Sequence, residues 1–156
     1  MRLGQRVIAA LEGGGGGEVA LEEDSLRVQF RVEVADRVGC AVAGLRLEDL
    51  RAPARDADAL KAWADRLTGR ITYLMERVAV IEVDAAGGSA LLRIAPPGLR
   101  EEFRFYYEAV LRRPGTLTLT RYRYHNGDRE RTEVPCNLTL EVFERLVDDL
   151  AKTMRE

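Results

Sequence analysis

Leu26, Val28, Phe30, Val32 and Val34 stand at every second position, with Arg27, Gln29, Arg31 and Glu33 between them. Successive side chains of a β-strand point to opposite faces, so this alternation demands a strand with one face on a core and the other in water. The pattern returns in Phe103, Phe105, Tyr107, Ala109 and Leu111, which alternate with Arg104, Tyr106, Glu108, Val110 and Arg112. The second run contains good helix formers, yet its period of two predicts a strand. A sheet apolar on one face needs helices to cover it.

Three segments supply them. Leu3, Val7, Ile8 and Leu11 recur at helical spacing and predict an amphipathic helix over residues 3–12. The glycines Gly13 to Gly17 end it, predicting a left-handed cap and then a flexible connector inside one domain. They are not a phosphate loop, which needs Gly-Lys-Ser/Thr and a following helix. Pro53 and Arg55-Asp56-Ala-Asp58 mark the start of a central helix, with Leu60, Trp63, Ala64, Leu67, Ile71 and Leu74 as its core stripe. That stripe carries the helix to about residue 75, although Gly69 offers an earlier end near Thr68. Thr139 is placed to cap a last helix with Val142, Phe143, Leu146, Val147, Leu150 and Met154 inward and Asp148 and Asp149 on the far side.

Between the helices, Glu22-Glu-Asp24 reads as an acidic turn, and Asp36-Arg-Val-Gly39 turns the chain into a strand from Cys40 to Leu47. Val78 to Val83 and Ala90 to Ile94 form a hairpin around residues 84–89, and Pro96-Pro97-Gly98 breaks the sheet pattern. The expected fold is a single α+β domain over residues 1–156. It has a mostly antiparallel sheet of about seven or eight strands, with N-terminal, central and C-terminal helices packed on it.

The register of the last strands bears on function. Arg113-Pro-Gly115 fits a three-residue loop with glycine left-handed, which pairs Leu111 with Leu117 and Ala109 with Leu119. Asn126-Gly127 between alternating side chains predicts a two-residue type I′ turn. It pairs His125 with Asp128, Tyr124 with Arg129, Arg123 with Glu130, Tyr122 with Arg131, Leu119 with Val134 and Leu117 with Cys136. The core face then holds Phe105, Tyr107, Ala109, Leu111, Leu117, Leu119 and Val134. The opposite face gathers Arg104, Tyr106, Tyr122, Tyr124, Arg129 and Arg131, and these six are the candidate binding residues. Tyrosine and arginine are enriched in interface hot spots. Cross-strand tyrosine and arginine neighbours also stabilise an exposed sheet by themselves, at roughly 0.2–1 kcal/mol per contact.

Composition excludes other classes. The 156 residues, 46% hydrophobic and 32% charged, describe a soluble globular chain with no apolar run long enough to span a bilayer. The first twelve residues, Met1 to Glu12, have too short an apolar run for a signal peptide, so a cytoplasmic location is expected. A net charge of −2 rules out bulk basicity as a reason to bind nucleic acid, although residues 112–131 hold six arginines against Asp128 and Glu130. Cys40 and Cys136 read as small buried hydrophobes. Asn137-Leu-Thr139 matches a glycosylation sequon by chance in a chain without a secretion signal.

No catalytic constellation emerges, so the chain reads as a non-enzyme. His125, the lone histidine, falls at a hairpin tip, where it pairs with Asp128 and has no nucleophile beside it. Glu82 and Asp84 lack a partner for acid/base work, and two separated cysteines with one histidine do not make a zinc site. No cofactor or metal is implied.

The order of elements and the closing segment Val134-Pro-Cys-Asn-Leu-Thr-Leu-Glu-Val-Phe-Glu-Arg-Leu-Val-Asp-Asp-Leu150 resemble the small acidic chaperones of type III secretion and the related YbjN-like domains. That resemblance implies a dimeric, non-enzymatic, partner-binding protein, and the strands after Pro97 depart from the pattern. The expected function is a protein-interaction or chaperone-like adaptor module. A protein partner or self-association comes first, single-stranded nucleic acid or another anion through the Tyr/Arg face second, and an enzyme or small-ligand protein third. No membrane partner is expected.

Overall fold

Asp24 and Ser25 both have positive φ, 51° and 64°, and close a two-residue hairpin between β1 (Gly17–Glu23) and β2 (Leu26–Ala35). This is the backbone a type I′ turn requires, and short polar side chains tolerate it best. The computed structural model of the chain describes residues 2–13, 16–74, 77–84, 86–95 and 103–156. The expected break at Pro96-Pro97-Gly98 and the middle of the glycine connector lie outside the described residues. Gly13 caps α1 (Leu3–Glu12) in the right-handed region rather than the expected left-handed one, and Gly17 already pairs with Val32, so the connector is shorter than the glycine run.

The remaining elements are β3 (Gly39–Asp49), α2 (Ala57–Arg70), β4 (Arg77–Asp84), β5 (Ser89–Ala95), β6 (Phe103–Arg112), β7 (Thr116–His125), β8 (Glu130–Val134), β9 (Cys136–Thr139) and α3 (Leu140–Met154). Together they form an α+β domain with nine antiparallel strands in one sheet and three helices among the described residues. α2 stops at Arg70, short of the expected residue 75, yet Ile71 and Leu74 remain buried beyond it. The apolar stripe therefore outlasts the helix.

The sheet runs β1-β2-β3-β7-β6-β5-β4 and is forked in the middle. The second half of β3, Leu45 to Glu48, pairs with Thr116 to Leu119 of β7, while its first half, Gly39 to Val42, pairs with β9. The far half of β7, Arg121 to His125, pairs with β8. Gly44, at φ +64°, sits where β3 changes partner, in a bulge opposite Phe30. A left-handed glycine bends the strand there at little steric cost. Pro135 separates β8 from β9 at the fork, where a missing N–H costs no ladder bond.

All three helices cover one face. Asp56 caps α2 by accepting from the Ala59 N–H at 2.8 Å, within the segment expected to start that helix, and Thr139 caps α3 through the Val142 N–H at 3.2 Å, as predicted. α1 lies so close to α3 that a Cβ on Gly4 would meet the Glu144 carbonyl oxygen at 2.5 Å. The Gly4 N–H donates to Asp148 Oδ1 at 2.8 Å, and the Tyr73 hydroxyl donates to Asp149 Oδ2 at 2.7 Å. Asp148 and Asp149 are therefore not on a solvated far side but hold neighbouring elements in place. The core joins Phe30, Trp63, Leu67, Leu92, Leu111, Leu117 and Phe143, each fully buried side chain contributing roughly 1.5–3 kcal/mol.

Candidate functional site

The β6–β7 hairpin has the predicted three-residue loop, with Arg112 opposite Thr116, Leu111 opposite Leu117 and Ala109 opposite Leu119. Gly115 is not left-handed, however. Its value is space, because a Cβ there would meet the Ala52 Cβ at 2.6 Å. Counting from this root, Tyr106 pairs with Tyr122 and Arg104 with Tyr124 on the face away from the helices.

The β7–β8 connection differs from the type I′ expectation. His125 pairs with Glu130 across a four-residue loop, and its left-handed residue is Arg129 at φ +56°, while Asn126 and Gly127 keep negative φ. The Arg129 N–H donates to the His125 carbonyl at 2.9 Å, and the Asp128 N–H donates to His125 Nδ1 at 3.0 Å. With the imidazole bracing the loop in this way, a longer turn displaces the one that Asn-Gly favours. Every expected pair therefore moves by two residues on β8. Tyr124 faces Arg131, Tyr122 faces Glu133, Arg123 faces Thr132 and Arg121 faces Val134. Leu117 and Leu119 face Leu47 and Leu45 of β3 instead of Cys136 and Val134, because β8 never reaches that far down β7.

A shift of two preserves the face. Five of the six candidates, Arg104, Tyr106, Tyr122, Tyr124 and Arg131, lie on one side of β6, β7 and β8, and Arg129 lies in the loop. Three further residues join them. Arg93 of β5 faces Glu108 of β6, and Glu133 of β8 faces Tyr122. Arg93 stacks on Tyr106 at 4.7 Å, Arg131 on Tyr122 at 4.1 Å and Arg104 on Tyr124 at 5.0 Å, with the Tyr106 and Tyr122 rings 5.7 Å apart. Arg131 also bonds Glu108 at 2.7 Å, and that carboxylate is 11% exposed. A hydrogen bond to the Tyr106 hydroxyl, then the bond to Glu108, raises the Arg131 pKa above the ordinary arginine value, so its charge is secure. Tyr106 is only 8% exposed, whereas Tyr122 and Tyr124 are half-buried.

Arg93, Glu108 and Glu133 escaped the sequence reading for different reasons. Arg93 stands on the outer parity of its strand, but the register of β5 against β6 depends on a long connection that no turn rule specifies. Glu108 stands on that face by parity, but its partner Arg131 lies on β8, two strands away, where only the fold brings the two together. The shifted loop brought in Glu133.

The inner face of the arm also departs from expectation. Phe105, expected in the core, is 38% exposed because the helices stop short of it. Arg121 fills the crotch of the fork, donates to the Pro135 carbonyl at 3.3 Å and lies over Phe105 at 4.7 Å. Its Nε is buried without a partner among the described residues.

The remaining reactive groups are held in structural positions. His125 Nδ1 lies 3.0 Å from Asp128 Oδ2, as the pairing at the tip predicts. No group of three His, Cys, Asp or Glu side chains converges among the described residues, and no helix is long and apolar enough to cross a membrane. Cys40 and Cys136 are buried on adjacent strands, Cys40 opposite Leu138 and Cys136 opposite Val42. Burial pushes the Cys40 thiol up to about 11 and the Cys136 thiol up to about 12. Since the thiolate is the nucleophile, both thiols should react with an aromatic disulfide reagent at neutral pH far more slowly in the folded chain than in denaturant. Rapid labelling of the native protein would contradict this burial.

No family model matches the chain, and neither a curated protein nor a solved structure shows significant similarity to it. The geometry of the Tyr/Arg face is therefore the basis for a functional reading.

Proposed function

We propose that the chain is a non-catalytic protein-interaction module, of the chaperone-like adaptor kind, which engages a partner or a second copy of itself through the outer face of β6, β7 and β8. One observation carries the reading. Arg93, Arg104 and Arg131 are each stacked on a tyrosine, on the sheet face opposite the helices. Side chains already held in one arrangement lose little entropy on binding, and tyrosine with arginine supplies large amphipathic contacts. Glu108 and Glu133 among the arginines make the face mixed in charge, which suits a protein surface better than a phosphate backbone.

The double substitution Tyr122→Ala plus Tyr124→Ala tests it, because both rings are only half-buried and the fold should survive their removal. Sedimentation of the purified chain and capture of partners on the tagged chain should show an association in the wild type. A single hot-spot residue accounts for about 2 kcal/mol, or roughly thirtyfold in affinity, so the double variant should lose at least that much. A strictly monomeric wild type whose captured proteins do not depend on these tyrosines would sink the proposal. Binding of single-stranded oligonucleotides that weakens as salt rises and requires the same tyrosines would replace it with the nucleic-acid reading.

A further inference from the structure

At the root of the β6–β7 hairpin, about 30 Å along β7 from the His125 tip, the segment from Asp49 to Arg55 meets the start of α2 and the end of α3. They line an open cleft of about 550 Å³ with Arg51, Arg55, Arg66 and Arg155 together with Asp49 and Glu156. Four guanidinium groups face two carboxylates.

Three of the arginines have structural duties. Arg55 donates to the Pro114 carbonyl at 3.0 Å and to the Met154 carbonyl, and lies over the Trp63 ring at 4.4 Å. Arg66 donates to the Thr153 carbonyl at 2.9 and 3.3 Å. These bonds satisfy the open carbonyls at the C-terminal end of α3, as cations near a helix end do. Carbonyl oxygens accept hydrogen bonds but do not cancel a charge. The Arg55 pKa is accordingly lowered, first by burial and then by the neighbouring Arg66. Arg155 is paired with Asp49 at 3.1 Å, and Glu156 is shared between Arg70 and Arg66, with Arg66 Nε 4.0 Å from its carboxylate. Arg51 has no such duty. Its backbone N–H bonds Asp49 Oδ1 at 3.0 Å, but its guanidinium has no partner among the described residues. The N-terminus of α2 is occupied by the Asp56 cap, so the attraction for an anion comes from the arginines and not from the helix.

We propose that this cleft is a binding site for a small polyanion carrying phosphate or carboxylate groups, anchored by Arg51 against the charge of Arg55, beside Arg66 and Arg70, which share the one carboxylate of Glu156. Arginine forks match the geometry of both oxyanions, and two anionic groups on one molecule would use both sides of the cleft. The site is independent of the Tyr/Arg face.

Pyrophosphate and citrate serve as the two probes, titrated calorimetrically and by thermal shift at low ionic strength, with sodium chloride matched for ionic strength as the control. At least one probe should bind saturably and raise Tm, and the better of the two identifies the oxyanion. Hydrogen bonds to charged groups contribute about 1.5–3 kcal/mol, so Arg51→Ala should weaken that binding about tenfold or more, with partial recovery in Arg51→Lys. Because Arg51 has no partner, its removal should leave Tm without the probe unchanged, and Tyr122→Ala plus Tyr124→Ala should leave probe binding intact. The proposal is overturned if neither probe binds, if chloride reproduces the effect, if Arg51→Ala binds as well as the wild type, or if the tyrosine variant loses the binding.

Discussion

Trp63→Ala should lower the free energy of unfolding by about 3–5 kcal/mol, the range for removing a buried tryptophan. Trp63 is fully buried on the inner stripe of α2, and it is tied at both of its ends. Its indole Nε1 donates to Thr153 Oγ1 at 3.2 Å, the Thr153 hydroxyl donates onward to the Leu150 carbonyl at 2.8 Å, and Arg55 covers the ring. Alanine would leave a cavity between α2 and α3, deprive Thr153 of a donor and release the arginine that braces the end of α3. In a chain of this length each kcal/mol moves Tm by about 2–4 °C, so thermal unfolding should shift down by roughly 6–20 °C. Thr153→Val isolates the polar share, since it keeps the volume and strands the indole N–H at a cost of about 1–3 kcal/mol. A Trp63→Ala protein as stable as the wild type in urea would mean that α2 does not pack on α3 as described.

Phe30→Ala should cost about as much, roughly 3–5 kcal/mol. Phe30 is fully buried in β2, and its ring meets that of Phe143 on α3 edge to face, with centroids 5.2 Å apart and planes at 88°. That pair ties the sheet to the C-terminal helix, whereas Trp63 ties α2 to the same helix. The edge of one ring is electropositive and the face of the other electronegative, so the arrangement adds about 0.5–1.5 kcal/mol beyond the area buried. A double-mutant cycle with Phe143→Ala, followed by denaturant unfolding, should return a coupling of that size. Additive losses would show that the two rings are buried independently.

Both residues were legible in the chain before any fold was known. Leu60, Trp63, Ala64 and Leu67 at helical spacing, and Leu26, Val28, Phe30 and Val32 at alternate positions, are buried where their periods put them, whereas Val34, the last of that series, is 63% exposed beyond a register shift after Val32. The cap at Thr139 was legible too, because a cap is a bond between residues three apart and needs no distant partner. The same holds for the three-residue loop at Arg113 to Gly115, where hydrophobic parity on both strands left one register.

The Asn126-Gly127 turn shows the limit of such rules. A type I′ turn formed at Asp24-Ser25, which lacks the favoured glycine, and failed to form at Asn-Gly, which has it. Turn preference is a small local energy, and two competing registers two residues apart keep every side chain on its own face. The choice passed to contacts that sequence does not display. These are His125 bracing the loop from within, and β8 running into Pro135 so that β9 can pair with β3.

From the sequence alone, then, came the elements, their buried faces and the gathering of Arg104, Tyr106, Tyr122, Tyr124 and Arg131 on one side of a sheet, because periodicity is a local property. The fork between β3 and β7, the exposure of Phe105, the arrival of Arg93 and Glu133 at the face and the meeting of four arginines around the end of α3 were decided only in three dimensions. Each depends on which segments far apart in the chain become neighbours. That choice is made by the packing of the whole sheet under its helices, a sum of many small energies that no short window of residues contains.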